Sequence, residues 1–274
     1  MTSTLRRAEA RSTLRAAASA LRMGFDQTLA GWPVLAGRCL FFGLIMTVLS
    51  ALWDKVAAEQ VAGAIALPPG GVVLYVGATE WITLSLPAVY LRFEDDIRSG
   101  GLEIHLLRPK PYLLQTLALG LGGGLARLAA LGVTAILLLA LSGRAWPPLE
   151  GLAFLLVLGP LGLLVGVMLY ALAGLAAFWA RRTLPFQLII QKLMFLLGGL
   201  FAPVTLYPAA LAEVARASPF AAHLYWAGAQ VMAPSLMGFL VGAGWQLAWI
   251  LLLGAACLGL WRLGLAKLLR EGTI

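Results

Sequence analysis

The stretch LEGLAFLLVLGPLGLLVGVMLYALAGLAAFWA, residues 149–180, contains a single charged side chain, that of Glu150. A helix needs about 20 mostly apolar residues to cross a bilayer, so this stretch predicts a transmembrane helix. Since 61% of all residues are hydrophobic and 12% are charged, the sequence predicts an all-α polytopic membrane protein with six transmembrane helices. The other five predicted spans are residues 32–53, 70–91, 112–141, 184–201 and 238–261.

The basic residues are distributed unevenly among the segments that separate these spans. Fifteen of the 20 Lys and Arg residues lie before or at the start of span one, between spans two and three, between spans four and five, or after span six. The opposite loops hold only Lys55, Arg144 and Arg216. Because Lys and Arg accumulate in cytoplasmic loops, both termini are predicted to be cytoplasmic. This placement accounts for the net charge of +8 without a nucleic-acid partner.

Two units are predicted along the chain: residues 1–31, which precede the first span, and the six-span domain of residues 32–274. Ala, Leu and Arg dominate residues 4–25 and no proline interrupts them, which predicts a helix. Four arginines would occupy one arc of this helix, beside an arc of Ala, Leu and Phe residues. We expect the helix to lie at the cytoplasmic lipid interface, attracted by anionic headgroups; the alternative is a solvated basic tail.

The segment between spans five and six, residues 202–234, contains four prolines. It is too apolar for a free loop and too interrupted for a clean span, and its Tyr207 and Trp226 suit a membrane interface. We therefore expect a re-entrant outer hairpin of short helices that dip into the outer leaflet without crossing. A crossing here would move the basic C-terminus to the outer side.

Charged and aliphatic residues alternate closely in the loop between spans two and three. From Glu94 to Pro109 the loop reads EDDIRSGGLEIHLLRP. A short amphipathic element that faces the cytoplasm is a suitable binding site for a protein partner. The alternative is a solvated turn, although turns do not normally carry so much aliphatic surface.

Two charged residues, Glu80 and Arg127, lie within predicted spans two and three. An unpaired charge at the bilayer centre costs on the order of 3 kcal/mol on insertion scales. The depths of the two residues differ by roughly 7 Å at 1.5 Å per residue, which a long Arg side chain can bridge. We expect either an ion pair that joins the two spans or a pair of polar residues that line a substrate path.

Motifs for nucleotide or metal chemistry are absent from the sequence. It contains no Gly-Lys dipeptide and therefore no P-loop, and it contains neither H-E-x-x-H nor G-x-S-x-G. The only two histidines, His105 and His223, would lie on opposite sides of the membrane. No catalytic residue, metal site or cofactor is predicted.

Small residues recur at the spacing that lets helices approach closely. Three G-x-x-x-G pairs occur, at residues 120/124, 162/166 and 238/242. They predict close helix packing within the bundle.

Several motifs resemble those of the type-2 ABC exporter permeases, which are the transmembrane subunits of ATP-driven exporters. The likeness extends over essentially the whole chain in span order and loop sizes. The motifs are DIRSGGL at 96–102 followed by LLRP at 106–109 and Tyr112, GGLFAPVTLYP at 198–208 with SPF at 218–220, and WRLGLAK at 261–267.

This resemblance implies that residues 94–104 form a cytoplasmic coupling helix that docks in a groove of a separate ABC ATPase subunit. It also implies an interfacial N-terminal helix and a second permease, identical or paralogous. The implied coupling residues are Glu94, Asp95, Asp96, Ile97, Arg98, Ser99, Gly100 and Leu102.

The chain would then be the permease subunit of an exporter in the bacterial inner membrane. It would move an amphiphilic or lipid-like substrate outward, in contact with membrane lipid and without an enzymatic site of its own. Two alternatives belong to other classes: a secondary transporter driven by an ion gradient, which should show several intramembrane carboxylates and an internal repeat, and a membrane scaffold without transport.

Overall fold

A computed structural model of the chain describes residues 2–59, 70–107 and 111–271, with side chains for residues 11–58, 70–107 and 111–270. Twelve α-helices and two short 3-10 turns, at residues 176–178 and 204–206, occur in this part of the chain, and no strand does. The helices are α1 (Thr2–Ala30), α2 (Trp32–Glu59), α3 (Gly71–Leu84), α4 (Val89–Arg98), α5 (Gly101–Leu106), α6 (Tyr112–Ser142), α7 (Leu149–Leu175), α8 (Leu184–Leu197), α9 (Ala209–Ala217), α10 (Pro219–His223), α11 (Tyr225–Met232) and α12 (Leu236–Glu271).

Helices long and apolar enough to cross a membrane account for five of the six predicted spans. Within the described ranges these segments are Trp32–Ala58, Gly71–Arg98, Tyr112–Ser142, Leu149–Phe178 and Leu236–Arg270. The remaining predicted span corresponds to α8, which is apolar but has 14 residues and is about 21 Å long. It ends early because Gly198 and Gly199 follow, the latter in the left-handed region with φ 70°.

The second predicted span, residues 70–91, is interrupted near its end. Helix α3 stops at Leu84, and α4 begins only at Val89. Pro87 lies in the break, where it cannot donate a backbone hydrogen bond to the preceding turn. The break lets α4 leave the direction of α3.

The N-terminal helix α1 packs closely on α6. Its residues Ala16, Ala20 and Gly24 form a buried stripe of small side chains. A Cβ atom on Gly24 would lie only 2.0 Å from the carbonyl oxygen of Leu119, so the two backbones are in direct contact. The predicted helix over residues 4–25 is therefore present and longer than expected. Its place at the lipid interface stays a prediction.

Close packing at the G-x-x-x-G pairs is confirmed. A Cβ atom on Gly120 would lie 2.3 Å from Cγ1 of Val89, and one on Gly162 would lie 2.4 Å from the carbonyl oxygen of His223. Any larger residue would push the neighbouring elements apart at these points.

Residues 202–234, the predicted hairpin, form the 3-10 turn at 204–206 and the short helices α9, α10 and α11. The longest of them, α9, has nine residues and is about 13 Å long, too short to cross a bilayer. Helices α10 and α11 lie inside the bundle against α3, α7 and α12, and Leu224 and Ala227 are fully buried. Helices α10 and α11 are thus part of the core, and the re-entrant course of the segment through a membrane stays a prediction.

The bundle has two distinct ends. At one, which we call the hairpin end, Arg144 of the turn between α6 and α7 forms an ion pair with Asp54 of α2. At the other, the α5 end, Lys267 Nζ of α12 donates a hydrogen bond of 2.8 Å to the carbonyl oxygen of Phe178, just beyond α7. Helices α4 and α5 lie at this second end.

Candidate functional site

The predicted coupling helix of residues 94–104 is divided into two helices. Helix α4 ends at Arg98, and α5 begins at Gly101. Gly100 between them has φ 76°, a left-handed conformation that favours glycine, and the Ser99 N–H closes α4 by donating to the Asp95 carbonyl oxygen at 2.9 Å. The single helix that the resemblance implies is therefore a bent pair, because a glycine interrupts it.

The inner face of this pair is anchored in the core. Phe93 is fully buried and its ring packs edge-on against Tyr112 at 5.9 Å. A Cβ atom on Gly174 of α7 would lie 2.8 Å from the Cα atom of Tyr90, so α4 touches the end of α7. Leu102, one of the implied coupling residues, is 2% exposed, and it therefore anchors α5 rather than facing a partner.

Two of the implied coupling carboxylates bind the protein's own helices. The Glu94 carboxylate accepts hydrogen bonds from the Thr183 N–H at 2.7 Å and from the Thr183 hydroxyl at 2.5 Å, and Thr183 is the residue before α8. Asp96 accepts a 2.5 Å hydrogen bond from the hydroxyl of Tyr112, the first residue of α6. Helix α4 is therefore hydrogen-bonded directly to the starts of two apolar helices, α8 and α6.

The outer face of α4 and α5 combines charge with aliphatic surface. Asp95 and Arg98 are exposed, as are Ser99 and Gly100, while Ile97 is half-buried. Ile104 is 63% exposed and Leu107 is 87% exposed, and both belong to the aliphatic surface that the sequence predicted for a protein partner. Leu102 and Ile104 lie two positions apart on α5, about 200° around its axis, so one faces the core while the other is exposed. We call Asp95, Arg98, Ile104 and Leu107 the outer α4–α5 surface.

The predicted ion pair between Glu80 and Arg127 is not formed. Arg127 Nη1 instead donates to the carbonyl oxygen of Leu86 at 3.0 Å, and Glu80 is buried without an ion pair to any described residue. Leu86 lies in the break between α3 and α4, where carbonyl groups lack the donors of a continuing helix. The alternative prediction, that these residues line a path, stays a prediction.

Arg38 also donates to a carbonyl group near the end of α3, a contact that the sequence did not predict. Arg38 Nη1 of α2 donates to the carbonyl oxygen of Leu84 at 2.9 Å. The last carbonyl groups of a helix lack intrahelical donors, and cations are favoured at this end of the helix dipole. Arg38 and Arg127 together therefore stabilise the C-terminus of α3, where Pro87 has ended the helix.

A family model described as ABC-2 family transporter protein matches residues 68–272. The chain belongs to this family. The match includes α3 to α12 and the outer α4–α5 surface, whereas α1 and α2 precede it. No curated protein sequence matches the chain.

Membership identifies this ABC-2 protein as a multi-pass membrane protein of the ABC transporter permease type. Among its described residues, no group of three or more His, Cys, Asp or Glu side chains is arranged to hold a metal ion. His105 lies in α5 and His223 lies buried in α10.

Proposed function

We propose that this ABC-2 protein is the permease subunit of an ATP-driven exporter, with a separate ABC ATPase subunit bound at the outer α4–α5 surface. The observation that carries the proposal is the construction of this helix pair. One face is exposed. The other is held by hydrogen bonds of Glu94 and Asp96 to the starts of α8 and α6, and by packing of Phe93 against Gly174 near the end of α7. A partner that displaced α4 would therefore move three helices together.

The absence of a P-loop from this sequence supports the proposal that another chain binds and hydrolyses ATP. ATP binding would close the ATPase subunits, and the movement would reach the membrane through α4. The chain alone is then expected to hydrolyse no ATP.

We further infer that α8 completes a sixth crossing and that residues 202–234 form an outer re-entrant hairpin. The distribution of basic residues supports an orientation in which the α5 end faces the cytoplasm and the hairpin end faces outward, in a bacterial inner membrane. Helix α8 is shorter than the hydrocarbon core, so Gly198 to Phe201 would have to continue its path.

A second permease, identical or paralogous, would complete the transporter, and the substrate would be amphiphilic or lipid-like. The exposed apolar surface of the bundle supports the proposal of a second permease. Helix α2 exposes Leu40, Leu44 and Val48 to the surroundings, and this surface suits lipid or another apolar helix.

The proposal is tested by co-expression of the chain with its ATPase subunit and purification through a tag on the chain. Ile104→Asp places a charge on the outer α4–α5 surface and is expected to reduce the amount of co-purified ATPase at least tenfold, because a desolvated charge opposes docking. Val214→Asp is the matched control. Val214 is 62% exposed, against 63% for Ile104, but lies in α9 near the hairpin end.

The control variant should retain the ATPase and its transport-linked hydrolysis. Equal ATPase recovery with both variants would remove the outer α4–α5 surface from its proposed role. The charges at Glu94 and Asp96 are unsuitable for this test, because their reversal would break bonds within the chain itself.

A further inference from the structure

A cavity of about 350 Å³ lies between α1, α2, α6 and the break that precedes α4. Three arginines line it, Arg38, Arg92 and Arg127, and the described lining contains no Asp or Glu. Each arginine comes from a different helix, so the cavity exists only in the folded bundle. Its net charge is strongly positive.

The protein itself occupies only some of the hydrogen-bond donors of these arginines. Arg38 and Arg127 each donate one N–H group to a carbonyl oxygen of the α3 end, and a guanidinium carries five N–H donors. Arg92 has a carboxylate nearby, with its Nε 3.8 Å from Asp96 Oδ2, but the same carboxylate accepts the Tyr112 hydroxyl. Among the described residues, no carboxylate lies within ion-pair distance of Arg38 or Arg127.

The other lining groups suit an anionic headgroup with an apolar tail. Thr28, Thr116 and Gln27 add uncharged hydrogen-bonding side chains, while the volume is at the small end for ligand cavities and fits a headgroup rather than a whole lipid. Val34 lines the cavity as well and is 71% exposed on the outer side of α2. An acyl chain could therefore leave the cavity along the outer surface of α2.

We propose that this cavity binds a phosphate group, supplied by an anionic lipid of the leaflet that surrounds the α5 end. Guanidinium groups bind phosphate oxygens in paired hydrogen bonds, and an anion would offset the cost of three grouped cations in a region of low dielectric. Basic cavities between membrane helices bind anionic headgroups on the cytoplasmic side. The proposal does not depend on export or on the ATPase, since it rests on the cavity alone.

The test uses the purified full chain in detergent, titrated with short-chain phosphatidylglycerol. Phosphatidylcholine with the same chains and inorganic phosphate are titrated in parallel. Phosphatidylglycerol should bind more tightly than phosphatidylcholine, and added salt should weaken its binding. Arg92→Gln should weaken it about tenfold, the effect expected when one charge-assisted contact is lost.

Arg22→Gln is the matched control, because Arg22 is also basic and exposed, lies on α1 and is not part of the cavity lining. It should bind phosphatidylglycerol like the unchanged chain. Arg38→Lys is a second variant, chosen because the uncharged Arg38→Gln could fail to fold. It keeps the positive charge but loses the paired hydrogen bonds of the guanidinium, so we expect phosphatidylglycerol to bind several-fold more weakly.

The outcomes separate the two sources of phosphate. Preference for phosphatidylglycerol that inorganic phosphate does not abolish supports the lipid. Inorganic phosphate that binds equally well, with the same dependence on Arg92, overturns the lipid source and leaves a site for free phosphate. Equal binding of both lipids overturns the preference for an anionic headgroup, since both lipids carry a phosphate group. Equal losses in the Arg92 and Arg22 variants overturn the site.

Discussion

Arg127 acts at the end of a helix rather than in an ion pair across the bundle. Its guanidinium donates to Leu86 and that of Arg38 donates to Leu84, so two carbonyl groups at the break between α3 and α4 are satisfied. Buried polar groups without partners are costly, which explains why a charged side chain follows the helix to these carbonyls. Glu80 lies about one and a half turns earlier on α3 and is separate from this arrangement.

Because Glu80 and Arg127 do not form an ion pair, substitutions at these two positions should have additive effects on the free energy of unfolding. Arg127→Gln should lower the unfolding free energy by about 1.5–3 kcal/mol, the usual worth of a hydrogen bond to a charged group. The loss in the double variant with Glu80→Gln should equal the sum of the two single losses within about 0.5 kcal/mol. Thermal unfolding of the four purified proteins in one detergent measures this. A double variant more stable than Arg127→Gln alone would show that the two residues interact.

At the scale of elements, the contact between α4 and α7 is a close approach of two helices that a single glycine permits. Gly174 has no side chain, and α4 uses the free space to bring Tyr90 and Phe93 against the end of α7. The rings of Tyr90 and Tyr170 pack edge-on at 5.6 Å beside this contact. Helix α4 is therefore held by packing as well as by the bonds of Glu94 and Asp96.

Gly174→Ala is expected to destabilise the protein, against the general preference of helices for alanine. The new Cβ atom would lie 2.8 Å from the Cα atom of Tyr90, so α4 would have to move. We expect a loss of about 1–3 kcal/mol, seen as a lower unfolding midpoint in detergent. Gly259→Ala in α12 is the control, because no atom lies within 4 Å of its added Cβ.

The control should be neutral or slightly stabilising, since alanine favours the helix by up to about 1 kcal/mol. Equal unfolding midpoints for the two variants would mean that α4 does not rest on α7.

At the scale of the whole molecule, different segments of the chain meet at the two opposite ends of the bundle. Residues of the α2 terminus and of the α6–α7 turn meet at the Asp54–Arg144 pair, whereas α4, α5 and the far ends of α7 and α12 meet at the opposite end. The uneven distribution of basic residues predicts that these ends lie on different sides of a membrane. The pairing of Asp54 with Arg144 agrees with their predicted location on one side.

Single cysteines should reveal this orientation in intact cells. With Cys39 and Cys257 replaced, a cysteine at Ser142 or at Glu213 should react with an impermeant reagent from outside, and one at Ser99 should react only after the membrane is opened. All three positions are exposed in the folded chain. Outside labelling of Ser99 would reverse the orientation, and labelling of Glu213 from inside only would mean that residues 202–234 take part in a crossing.

The sequence by itself determined the helical architecture, four of the spans as continuous apolar helices, and the close packing at the G-x-x-x-G pairs. These properties are local, because hydropathy and small-residue spacing act within one helix at a time. The motifs near Asp96 also pointed to the family that the match over residues 68–272 confirms. The motif residues Arg108 and Pro109 lie outside the described residues.

Only the tertiary structure decided what each charged side chain touches. It directed Arg127 to Leu86 rather than to Glu80, turned Leu102 inward, and brought three arginines from different helices around one cavity. Such contacts join residues tens of positions apart, and they depend on where Pro87 and Gly100 break the helices and on which backbone groups then lack partners. Hydropathy records how much of a helix is apolar, whereas the partner of a buried charge is chosen by the packing of several helices at once.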